Sequence, residues 1–187
     1  RWQSISRLAM QGEKNTVFEQ KREKIILTVS ITENQQRVFI KGLDRFSELA
    51  EKLPEYTFYL IGSNENARHL FEPVPENLIL LPSLKQTELK DHYTKASFYA
   101  QFSRSEGLPN ALCEGMLYGC IPIGTNVGGI PAAIGNLGFL TDEWNVQTVA
   151  NYVRNNHNKA NREAFSKRIK DKFDFNFRKE KLLKEIC

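Results

Sequence analysis

Cysteine is scarce in this sequence, with three residues in 187: Cys113, Cys120 and Cys187. An odd count without metal-type spacing excludes a disulfide-stapled framework and a zinc ribbon, and is expected of reduced thiols in a cytoplasmic setting. Two of the three read as small buried residues and the third lies at the chain end. Long apolar runs are missing as well: IILTV and FYLIG are far too short to cross a bilayer. The first residues lack the basic, apolar, small-residue order of a secretory signal. Arg1 is not a natural start, so an upstream piece is expected. There is no Asp-x-Asp pair, no acidic cluster after the first strand-like run, no internal repeat and no low-complexity tract. His69, His92 and His157 are scattered over helical stretches with no triad partners near them, which points to surface roles.

What is present fits a globular domain: 41% hydrophobic and 26% charged residues, long enough to bury a sizeable core. The net charge of +4 is unevenly placed. Residues 25–153 hold 9 basic and 14 acidic side chains, whereas residues 154–187 hold 11 basic and 5 acidic. Nucleic-acid binders concentrate positive charge on a folded face, so no nucleic-acid partner is expected. Basic ends suit contact with a missing domain or with an anionic membrane face.

Along the chain, residues 1–24 show no sustained periodicity and read as a linker remnant. Continuous apolar runs then predict strands at Ile25–Ser30, Tyr56–Ile61, Asn77–Leu81, Ser97–Phe102, Ile121–Gly124 and Leu137–Leu140. Helical periodicity predicts Arg37–Leu53, with Phe39, Leu43, Phe46, Leu49, Ala50 and Leu53 on one stripe. Further helices are expected at Asn64–Phe71, Lys85–Ala96, Pro109–Tyr118, Asn145–Asn156 and Asn161–Phe173. Strands alternating with helices through short loops give right-handed βαβ crossovers. The expected fold class is therefore α/β, a Rossmann-like doubly wound parallel sheet of about six strands with helices on both faces. One domain spans 25–174, and 175–187 form a basic tail or helix.

The informative stretch is Ser97–Pro131. In such sheets ligands bind beyond the carboxyl ends of the strands, and the loop Ser103–Pro109 leaves a strand there. Gly107 permits close backbone approach, and Pro109 suits the first helical position. The following N–H groups, at Asn110 and Ala111, then face outward at the positive end of a helix, a ready anion site. Glu114 stands among Ala111, Leu112, Cys113, Met116 and Leu117. A carboxylate on such an apolar helix needs a partner or a ligand, and can accept two hydrogen bonds from a ribose diol. Glu106, nearer the loop tip, would meet the hydroxyls of a sugar beyond the phosphates. Lys41 and Arg37 supply cations for a departing diphosphate. Ser30 and Gly62 end strands on the same side. Each also has a plainer reading, as a capping or solvated surface residue.

The segment Ser105–Met116, followed by Tyr118–Pro122 and Val127–Pro131, resembles the signature of group 1 glycosyltransferases, the large retaining class of the GT-B fold. Two glutamates separated by seven residues precede a small-residue turn, a strand and a Val-Gly-Gly-Ile-Pro loop, and the match extends more loosely over 25–155. The resemblance implies one half of a GT-B enzyme, the C-terminal half that binds a UDP- or GDP-type sugar donor. By the same resemblance Glu106 is the residue most tied to transfer, and Glu114 holds the ribose. The backbone from Gly107 through Leu108 and Asn110 to Ala111 cradles the distal phosphate, and Lys41 neutralises the pyrophosphate. The family arginine after the first strand is replaced by Ile31, and Arg37 is the substitute. Asn126 and Ala132 stand where aspartate and glutamate are common, and Leu81–Leu84 lies where the family seats the base. The implied reaction is hexosyl transfer to a glycan or lipid-linked acceptor held partly by an N-terminal domain. It needs no metal and no further cofactor, and belongs to bacterial surface polysaccharide synthesis at the cytoplasmic face. The chain by itself would bind nucleotide weakly and transfer no sugar. A non-catalytic nucleotide-binding module and a nucleotide-sugar epimerase of the same architecture are the rival readings.

Overall fold

The computed structural model describes residues 16–157 and 161–173. Most of the stretch read as a linker remnant (1–15), the tail 175–187 and Cys187 lie outside the described residues.

A short helix α1 (Thr16–Glu19) leads into β1 (Glu23–Val29), whose centre Ile26–Leu27 is wholly buried. The strand starts two residues before the expected Ile25, because Arg22 is itself part of the fold. This arginine is 5% exposed and donates to the carbonyls of Tyr93 (2.7 Å), Ala96 and Tyr118 (2.6 Å). Those carbonyls lie at the C-terminal ends of two helices, where unpaired acceptors and the negative end of the dipole favour a cation.

The next helical stretch was expected to be continuous from Arg37 to Leu53. It is instead two helices, α2 (Gln35–Lys41) and α3 (Leu43–Lys52), broken at Gly42. Asn34 caps α2 by accepting from the Arg37 N–H at 2.9 Å, so the helix starts earlier than its apolar stripe suggests. Gly42 sits in the left-handed region (φ 64°), and a Cβ there would overlap the Phe102 carbonyl oxygen. The break is thus imposed by a residue sixty positions downstream. It also turns Phe39 off the predicted apolar stripe: its ring is 57% exposed and lies under the Arg104 guanidinium at 3.8 Å.

The chain continues through β2 (Thr57–Ile61), a 3-10 helix (Glu65–Phe71), β3 (Leu78–Leu81), α4 (Gln86–Lys95), β4 (Ala96–Gln101), α5 (Asn110–Leu117) and β5 (Ile121–Thr125). It ends with α6 (Ile130–Ile134), β6 (Phe139–Thr141), α7 (Val146–Asn156) and α8 (Arg162–Phe173). The helix α6 was not anticipated from the glycine pair before it. The six strands pair only in parallel, in the order β3-β2-β1-β4-β5-β6. Crossovers running outward in both directions from the β1/β4 junction lie on opposite faces, given their fixed hand. Accordingly α3 packs with α7, and α5 with α8. The strands between are buried on both sides, which is why they read as unbroken apolar runs. Ile26 lies opposite both Phe58 of β2 and Phe98 of β4.

Cys113 and Cys120 are buried and form no disulfide, as expected. Two histidines are only partly on the surface: His92 packs edge-on against Tyr59, and His157 lies between the Tyr56 and Phe98 rings. Both are half-buried, and desolvation lowers the pKa of each. Their apolar partners come from strands remote in sequence, so nothing local marked them. His69 is exposed.

Candidate functional site

At the carboxyl ends of β1 and β4 the connections part towards opposite faces, and a cleft of about 430 Å³ opens there. Of the residues given a ligand contact from the sequence, Ser30, Arg37, Lys41, Gly62, Glu106, Leu108, Asn110, Ala111 and Glu114 line it. Gly107 does not. Nothing lies within 4 Å of a Cβ built on Gly107, so within this chain its lack of a side chain is not sterically required.

The close approach occurs one loop away. Gly128 (φ 55°) abuts the Glu106 carbonyl oxygen, and Gly129 lies so near Gly107 that an added Cβ would stand 2.5 Å from its oxygen. The Gly129 N–H also donates to that oxygen at 3.0 Å. The β5–α6 loop therefore buttresses the β4–α5 loop from behind. From the other side the β4–α5 loop is clamped to the α2–α3 break. Arg104 forms a two-pronged ion pair with Asp44 (2.8 Å for each contact) and donates to the Phe39 carbonyl, and its N–H donates to the Ile40 carbonyl.

This clamp brings Lys41 against Glu106. The Lys41 ammonium donates to Oε2 of Glu106 at 2.8 Å, with side-chain exposures of 21% and 13%. The same oxygen accepts from the Ser103 hydroxyl (3.1 Å) and the Gln101 amide (3.3 Å), and Gln101 also donates to Ser103. Ser103 is completely buried and Gln101 is 7% exposed. Neither was singled out, although a glutamine ending the apolar run SFYAQF was the available signal. Arg37 stands one turn before Lys41 on the same face of α2. Ile31, where the resemblance looked for an arginine, is 55% exposed and also lines the cleft.

The opposite wall is α5. Pro109 occupies its cap position rather than its first turn, and no side chain caps the helix. The N–H groups of the first turn have no intrahelical acceptors, so they and the helix dipole favour an anion. One turn on, Glu114 is 5% exposed and accepts from the Tyr93 hydroxyl at 3.2 Å. Packing makes this possible: a Cβ on Gly115 would stand 2.8 Å from the Tyr99 ring, so glycine lets α5 rest directly on β4. Tyr99 in turn accepts from the Val29 N–H at the end of β1. Tyr93 was expected to face inward on its helix but was given no part in the site, because it reads as an ordinary core residue; a buried phenol usually has a hydrogen-bond partner. The floor of the cleft is apolar, from Val29, Ile61, Leu84 and Leu89.

The arrangement thus brings an open helix N-terminus, two cations and two carboxylates, one shallow and one deep, to a single cleft. Such a site can hold an anion flanked by hydroxyl-bearing groups. Among the described residues no group of three or more His, Cys, Asp or Glu is placed to hold a metal ion, and no helix is long and apolar enough to cross a membrane.

Solved structures share this fold at low sequence identity. A single-site mutant of S. aureus TarM, solved with Fondaparinux, alpha-GlcNAc-glycerol and UDP, matches with a TM-score of 0.69 at 18% identity, over 87% of this chain and 35% of its own. Sucrose-phosphate synthase from Thermosynechococcus elongatus gives 0.69 at 14% identity, over 100% of this chain and 49% of its own. The pneumococcal O-GlcNAc transferase GtfA, solved with UDP and GlcNAc, gives 0.64 at 18% identity, over 90% and 37%. The chain spans less than half the length of each. No curated protein matches it in sequence. The profile of the family described as "Glycosyl transferases group 1" matches residues 23–158, which hold the whole sheet and every residue of the cleft. The chain belongs to the group 1 glycosyl transferases.

Proposed function

We propose that the cleft binds the nucleoside diphosphate sugar of a retaining hexosyl transfer, and that this chain is the donor-binding half of a GT-B enzyme. The observation that carries the reading is the convergence of Glu106, Glu114, Lys41, Arg37 and the open end of α5 on one cleft. In this reading the diphosphate rests on the N–H groups from Gly107 to Ala111 and on the two cations. Departure of the nucleoside diphosphate builds negative charge there, and fixed positive groups stabilise it. Glu114 accepts from the ribose hydroxyls, deep against Tyr93, while Glu106 meets the sugar to be transferred. Ser30 and Gly62 flank the nucleoside, whose base lies against Leu84 and Leu89. The donor is of the UDP or GDP type, no metal takes part, and the acceptor is a glycan or lipid-linked saccharide. Bacterial surface polysaccharide synthesis at the cytoplasmic face of the membrane is the setting this chemistry suits.

The reading is tested by titrating a panel of nucleotides and nucleotide sugars into the full-length protein by calorimetry. One nucleoside diphosphate should bind in preference to its monophosphate. Glu114→Ala should weaken it about tenfold or more, since hydrogen bonds to a charged group contribute on the order of 1.5–3 kcal/mol. Unchanged affinity in that variant would remove the ribose role.

A further inference from the structure

Glu114 does not hold its orientation alone. Its carboxylate accepts from the hydroxyl of Tyr93, a residue that does not line the cleft and is itself wholly buried. Every other part of Tyr93 is fixed from a different direction. Its ring is stacked on Tyr118 (centroids 5.7 Å apart, 11° between planes) and tilted against Tyr99 at 6.1 Å. Its carbonyl accepts from Arg22 at 2.7 Å and from the Cys120 thiol at 3.2 Å. The helix that carries it is fastened at its start by Glu88, which accepts from the Lys85 N–H at 2.8 Å. The hydroxyl is therefore delivered to one point behind α5 by contacts with residues 22, 99, 118 and 120. Burial pushes the Tyr93 pKa well above the ordinary tyrosine value, so the hydroxyl keeps its proton at any working pH.

We infer that Tyr93 is a positioning residue for Glu114, and that it gives the site its preference for a ribose over a 2′-deoxyribose. This rests on the donor-site reading above. A carboxylate can grip a vicinal diol with two hydrogen bonds only if its plane is turned towards both hydroxyls. One that rotates about its terminal torsion keeps a single contact on average, and terminal torsions of glutamate have broad wells. The Tyr93 hydroxyl restrains that rotation. The energetic signature is a difference between two ligands rather than a uniform loss.

The test compares binding of UDP and 2′-deoxy-UDP, with the GDP pair in parallel, to the full-length wild type, Tyr93→Phe, Glu114→Gln and the double variant. Phenylalanine keeps the ring stack and removes only the hydroxyl. The wild type should favour the ribonucleotide about tenfold. Tyr93→Phe should lower affinity for the ribonucleotide several-fold and leave the deoxynucleotide nearly unchanged, so that the ratio collapses. In the double variant the loss should be no larger than in Glu114→Gln, because two residues acting through one contact are not additive. Equal losses for both sugars in Tyr93→Phe, or additive losses in the double variant, would overturn the inference and leave the Glu114 reading standing. A ribose preference that survives in Glu114→Gln would overturn the Glu114 reading itself, and with it this one. If Tyr93→Phe proves too unstable to titrate, selective labelling of the Tyr93 phenol carbon in the wild type decides the matter. Its resonance should shift with UDP and not with the deoxy analogue, and equal shifts would refute the inference.

Discussion

Replacing Glu106 by glutamine is expected to affect product and substrate binding in opposite directions. The Lys41 ammonium is engaged by the Glu106 carboxylate at 2.8 Å, inside the cleft that the diphosphate is proposed to enter. Lys41 must exchange a carboxylate for a phosphate when the ligand arrives. The glutamine amide is nearly the same shape but carries no charge, and leaves Lys41 to the phosphate. A nucleoside diphosphate without its sugar should bind Glu106→Gln several-fold tighter than wild type. The intact nucleotide sugar should bind less tightly, since the group proposed to meet its hydroxyls can no longer accept with both oxygens. Turnover in the full-length protein should fall by about 10² or more, the penalty for losing fixed geometry at a reacting centre. Calorimetry with both ligands and a steady-state transfer assay give the three numbers. Parallel weakening of both ligands would mean that Lys41 is not held in reserve for the phosphate, and that the ion pair serves the loop instead.

Gly128→Ala should be among the most damaging single-methyl changes in the chain. The residue adopts φ 55°, where a left-handed alanine costs roughly 1–2 kcal/mol before any contact is considered. Its new Cβ would also coincide with the Glu106 carbonyl oxygen, a backbone atom that cannot swing aside. A total destabilisation of about 3–5 kcal/mol is expected in urea unfolding, at the upper end of what point substitutions produce. In any fraction that folds, the loop bearing Glu106 must be pushed off its seat, so nucleotide-sugar affinity should fall as well. The matched control is Gly107→Ala, on the signature loop itself, whose Cβ meets nothing within 4 Å. It should change stability by no more than about 0.5 kcal/mol. Equal destabilisation by the two substitutions would show that the buttress from the β5–α6 loop is unimportant.

These two glycines also show where sequence reading stops. The parallel α/β layout was legible because β1, β2, β4 and β5 are buried on both faces and read as short apolar runs between helical periods. The cleft was legible because most of its residues sit at the ends of those runs or on the first turn of the helix that follows. What escaped was set by pairs of residues far apart. Gly42 reads as a tolerable helical glycine until Phe102 is known to press against it. Phe39 belongs to an apolar stripe by spacing, yet faces Arg104. Glycine at 107 stood out because it is in the signature, whereas the steric need for glycine lies at 128 and 129. Glu114 was recognised as a carboxylate in want of a partner, but nothing local named Tyr93.

The described part of the sheet stops at two very short margins, four residues in β3 and three in β6. A margin presents unpaired N–H and C=O groups, and a longer one would be a template on which another chain could add a strand. Here each offers only a few rungs, although the β3 margin is as apolar as Leu78–Leu81 and leaves Ile79 39% exposed. With so few rungs neither margin is a ready template for an added strand, and lengthening β3 by even two apolar residues would make it a better one.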